Sequence, residues 1–108
     1  MQSPSAKRSA PPAAPVERTD PRPAYERGNA LLLAGDGKAA IAAYREAVKS
    51  SPSDPIGFRG LGLAYEQQGE TTAAIRALKR YQKLAPHADD HELIAKRIDR
   101  LTARAKQK

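Results

Sequence analysis

From Pro21 onward, apolar and small residues recur at intervals of three and four, the spacing that gathers side chains on one face of a helix. Phe58, Leu61, Gly62 and Tyr65 make one such run, which Gly69 stops; Ala74, Ile75, Leu78, Tyr81 and Leu84 make the next, which Pro86 ends. Asp54 stands where an N-cap belongs and Pro55 at the first helical position, so each run carries its own start and stop signals. An earlier pair follows the same plan, with a stop at Gly35, a cap at Asp36 and an end near Pro52. The last run, Ile94, Ile98, Leu101 and Ala105, predicts one amphipathic helix over about 89–105. Asp89 and Glu92 sit at its start in the positions of a capping box.

The two pairs are copies. Displacing the chain by 34 residues sets Pro21 on Pro55, Gly28 on Gly62, Ala30 on Ala64, Gly35 on Gly69, Ala39-Ala40-Ile41 on Ala73-Ala74-Ile75, Ala43 on Ala77, Lys49 on Lys83 and Pro52 on Pro86. A period of that length marks one supersecondary unit used twice. The expected fold is therefore all-α: an α-solenoid of two antiparallel helix-turn-helix units, 21–54 and 55–88, closed by a capping helix over 89–105. Small residues at Gly28, Ala40, Gly62 and Ala74 let paired helices approach, while Leu31, Tyr44, Tyr65 and Leu78 fill the space between them.

Ahead of this block the texture changes. Six of the nine prolines fall within residues 1–23, among Ser and Ala, too little apolar surface to offset chain entropy. Residues 1–20 are expected to be a disordered Pro/Ala/Ser-rich linker, since Pro11-Pro12-Ala13-Ala14-Pro15 carries no spaced anchors for a docking motif.

Composition narrows the function. At 108 residues there is one small domain, too little for an enzyme with a separate cofactor lobe. No Cys is present, and no apolar run is long enough to cross a bilayer; a cytoplasmic protein is expected. His87 and His91 lie four apart but lack the Glu of the zincin pattern, and His87 follows Pro86 in a loop, so no metal site is expected. Ser50-Ser51-Pro52-Ser53-Asp54 reads as turn chemistry, and Gly60 and Gly62 as packing rather than a phosphate loop. Neither catalysis nor a cofactor is expected.

Net charge is +7, and the excess is concentrated near the C-terminus. Lys96, Arg100, Arg104 and Lys108 recur every four residues as a basic stripe, with Arg97 beside it. Such a stripe complements the helix dipole and is usually a solvated face; the alternative is electrostatic attachment to nucleic acid or an anionic membrane surface. Stacking on bases finds little support, because Tyr25, Tyr44, Phe58, Tyr65 and Tyr81 are mostly claimed by packing.

The second unit, Phe58, Leu61-Gly62, Tyr65, Ala74, Leu78 and Pro86, resembles the tetratricopeptide repeat; the first reads Ala24, Arg27-Gly28, Leu31, Ala40, Tyr44 and Pro52. Ala24 and Arg27 depart from the apolar preference, consistent with an outer face that meets solvent. Tyr81 stands where the first unit has Ala47, which suits a special contact to the last helix. The resemblance implies a noncatalytic protein-binding adaptor whose first helices line a concave peptide groove. Carried over, the groove holds Tyr25, Asn29, Leu32 and Leu33, then Ile56, Arg59, Leu63, Glu66 and Gln67, then Leu93, Arg97 and Arg100. A partner segment with acidic and aliphatic side chains would fit, with Arg59 and Arg97 pairing its carboxylates. The family's carboxylate clamp for chaperone tails is not expected, since of its residues only Asn29 matches. Two repeats are fewer than usual, which leaves open a homodimer or a place within a longer chain.

Overall fold

A computed structural model describes residues 20–107, and the expected N-terminal linker and Lys108 lie outside them, apart from Asp20. Five helices follow one another: α1 Arg22–Leu33, α2 Gly37–Ser50, α3 Pro55–Gln67, α4 Thr71–Leu84 and α5 His91–Lys106. There is no strand among the described residues.

The turns within the pairs are built alike. Gly35 and Gly69 have φ of 83° and 77°, the left-handed region that side chains resist. Each ends its helix in a Schellman motif: the Gly35 amide donates to the Leu32 carbonyl and the Asp36 amide to Leu31, while Gly69 donates to Glu66 and Glu70 to Tyr65. Asp36 then serves a second time, its carboxylate accepting the Ala39 amide at 3.2 Å to start α2. Asp54 does the same for α3 through the Ile56 amide at 3.0 Å, with Pro55 following it.

Each helix packs on the next in sequence, and α1 also touches α3, so the first helices of the two pairs stand side by side. One buried cluster joins Ala40, Ile41 and Tyr44 of α2 to Leu61, Ala64 and Ala77. The other joins Ala74, Leu78 and Tyr81 of α4 to Ile94, Ile98 and Leu101 of α5. Phe58 and Tyr65 pack against both clusters and make the core continuous from the first pair to the last helix. Tyr44 is 1% exposed because two helices give up side chains to admit its ring: a Cβ on Gly60 would lie 2.3 Å from it, and one on Gly28 2.8 Å.

The structure corrects the sequence at two places. Ala24 does not meet solvent but is buried at 3% exposure, while Arg27 reaches Glu46 at 2.6 Å. The capping box at Asp89 and Glu92 does not form: α5 begins at His91, and its N-cap, Asp90, makes no side-chain capping bond. The Asp90 carboxylate is instead taken by Arg59 at 2.6 Å and the Tyr81 hydroxyl at 2.6 Å, and a guanidinium is a stronger donor than a helix-end amide.

Candidate functional site

The groove arises because α1, α3 and α5 share one side of the stack. Its first part, about 520 Å³, lies between α1 and α3, walled by Asn29, Leu32 and Leu33 on one side and Ile56, Arg59 and Leu63 on the other. Two further clefts continue it toward α5. One contains Leu32, Leu63, Glu66, Gln67, Arg97 and Arg104; the other contains Arg59, Leu63, Leu93, Lys96, Arg97 and Arg100. Leu32, Leu63, Arg59 and Arg97 are shared between clefts, so the three form one surface.

Of the groove residues expected from the sequence, Tyr25 alone lines none of these clefts. Its ring packs against the first core cluster and its hydroxyl is buried without a hydrogen-bond partner, so burial, with the Asp54 carboxylate nearby, pushes the phenol well above its usual pKa. Two residues expected only as packing, Tyr44 and Tyr81, reach the groove floor. The Tyr44 hydroxyl donates to Asn29 Oδ1, which fixes the orientation of that amide. No sequence period could show this, because both rings are core residues whose tips alone emerge.

The groove's charge is largely self-compensated at its centre. Arg59 pairs with Asp90 and Arg97 with Glu66 at 2.7 Å, and both pairs cross from α3 to α5, two helices without close backbone contact among the described residues. Burial works against the ionised Asp90, yet the hydrogen bonds from Tyr81 and Arg59 outweigh it and hold its pKa below the usual carboxylate value. Both pairs join opposite charges 31 residues apart, which is not the 34-residue period, so the repeat by itself does not pair them. Each of Arg59 and Arg97 thus has one guanidinium nitrogen bonded to a carboxylate of the chain itself, and a partner's carboxylate would meet an arginine already in an ion pair.

What remains is a groove with two unlike walls. Toward α1 it is apolar, with Leu33 at 89% exposure, and Ile56 at 45% across from it. Toward α5 it carries Leu93, 69% exposed, among Lys96, Arg100 and Arg104, none of which is in an ion pair among the described residues. The described part of the basic stripe is thus a wall of the groove rather than a separate face; Lys108 lies outside the described residues. Gln67 closes the floor by donating to the Leu32 carbonyl at 3.1 Å, tying α3 to α1.

A family model for the tetratricopeptide repeat matches residues 25–89. No curated protein matches the chain.

Proposed function

The chain belongs to the tetratricopeptide repeat family, whose members generally mediate protein–protein interaction, and from that premise we propose that it is a noncatalytic adaptor binding a partner segment in the groove of α1, α3 and α5. The observation that carries the reading is the pairing of unlike walls: exposed Leu33 and Ile56 on one side, unpaired Lys96, Arg100 and Arg104 on the other. Apolar side chains of a segment would bury against the first wall, and its carboxylates would meet the second. Leu63, common to all three clefts, is the residue every such segment would touch.

The reading is tested with fluorescent twelve-residue peptides of three kinds: acidic with leucines, basic with leucines, and acidic with serines. Anisotropy is expected to rank the acidic leucine peptides tightest, and Leu63→Glu combined with Arg100→Glu to weaken them at least tenfold while the helical circular dichroism persists. Equal binding of acidic and basic leucine peptides, or no effect of the double variant, removes the groove from the proposal. Because the stripe and the groove wall coincide, attachment to nucleic acid or membranes through α5 would compete for the same residues, which weakens it as a separate reading.

A further inference from the structure

The surface of α4 that faces away from the groove has no role in this binding scheme. Among the five helices α4 alone carries no carboxylate, while Arg76, Lys79, Arg80 and Lys83 give it four cations in eight residues. At 100° per residue these four fall within an arc of about 100°, opposite the buried Ala74, Leu78 and Tyr81, and they span about 10 Å of helix. All four are exposed, and none is in an ion pair among the described residues. They line a shallow depression of about 510 Å³ whose only other wall residue is Gln82.

One contact sets a guanidinium of this face. Arg80 lies over the Phe58 ring, 5.7 Å from its centroid, in a cation–π arrangement that holds the side chain in place. Arg76 and Arg80 also border a trough floored by Phe58, Leu61 and Tyr65, and across it Arg45 donates to the Tyr65 hydroxyl at 2.9 Å. Cations are thus carried from α4 toward α2 over the back of α3.

We propose that this face of α4 binds the phosphodiester backbone of nucleic acid. The depression is walled by Arg, Lys and Gln, and the rings beside it, Phe58 and Tyr65, are half-buried, so an acidic protein segment would be held there mainly by exposed ion pairs, which are individually weak. A membrane surface would gain little more, since the exposed large apolar residues, Leu33, Ile56 and Leu93, are groove residues and not on α4. A nucleic acid, by contrast, releases condensed counterions for each phosphate neutralised, which requires cations and no apolar area.

The test uses the whole chain and a fluorescein-labelled mixed-sequence 20-mer DNA, followed by anisotropy. With the 20-mer as a duplex and three to four phosphates neutralised, affinity is expected to fall about 40- to 150-fold between 50 and 200 mM salt. The variant Arg76→Gln/Lys79→Gln/Lys83→Gln leaves Arg80 on its ring and is expected to weaken binding at least tenfold. Lys96→Gln/Arg100→Gln/Arg104→Gln removes the same charge from α5 and is expected to weaken it less than threefold. Circular dichroism checks that both variants fold, and the single change Lys79→Glu, expected to weaken binding at least threefold, replaces the triple variant if it does not. The proposal is overturned if the wild-type chain does not bind at 50 mM salt, if the two triple variants lose affinity equally, or if anionic phosphatidylglycerol vesicles displace the DNA at equal charge.

Discussion

Tyr44 shows how much of this structure is decided at single residues. Its ring is enclosed by α1 and α3, its hydroxyl emerges into the groove to hold Asn29, and both depend on Gly28 and Gly60 having no side chain. Gly60→Ala would gain about 1 kcal/mol of helix propensity but place a methyl inside the ring's van der Waals envelope. Because Tyr44 is buried and cannot swing away, a net loss of about 1–3 kcal/mol is expected in urea denaturation. An unchanged midpoint would mean that the ring has room the packing denies it. Periodicity in the sequence identified Gly28 as a packing glycine, and Gly60 also read as packing although Glu26 stands one period earlier; that the side chain it admits is the Tyr44 ring was visible only in the packed structure.

Among the elements, α5 is joined to α3 by charge and to α4 by apolar contact. The Asp90 carboxylate holds both Arg59 and Tyr81, and its pKa is lowered in the folded state. A group with a depressed folded pKa contributes stability that is complete above its unfolded value, about 3.9, and is lost as pH falls through the folded one. The melting temperature is therefore expected to fall below about pH 4, and Asp90→Asn to lower it at pH 7 while flattening part of that acid limb. A variant whose acid limb matches the wild type would show that the pair does not hold α5. The helix itself, its apolar face and its length were legible in the sequence to within two residues at each end. Its capping was not, because Asp90 could be given to the helix amides or to Arg59, and only the position of α3 settles which donor wins.

Over the whole molecule, Phe58 and Tyr65 tie the two clusters together, so the helix pairs are not independent folding units. A single cooperative unfolding transition is expected by both far-ultraviolet circular dichroism and tyrosine fluorescence, and Leu101→Ala, at a site 1% exposed, is expected to cost about 2–5 kcal/mol over that entire transition. Two separated transitions, or a loss confined to the last one, would show that the repeats melt singly. On the same scale the molecule has two charged faces of different design. The groove sets cations beside exposed leucines, whereas the back of α4 sets them beside one another, and the partner chemistry proposed for each follows from that difference.

The chain alone determined the five helices, their turns and their doubling, because these rest on local chemistry: caps at Asp36 and Asp54, left-handed glycines at positions 35 and 69, and apolar residues at helical spacing. Most of the residues it assigned to one side of the stack line the clefts between α1, α3 and α5, since a repeated helix presents equivalent positions on the same side. Tertiary structure decided which charges are free. Arg59 and Arg97 read as available in the sequence and are paired with Asp90 and Glu66, while Arg76, Lys79, Arg80 and Lys83 of α4 are in no ion pair among the described residues. Packing is legible because it repeats every three or four residues; ion pairing depends on distances across a gap between helices, and no local pattern records those.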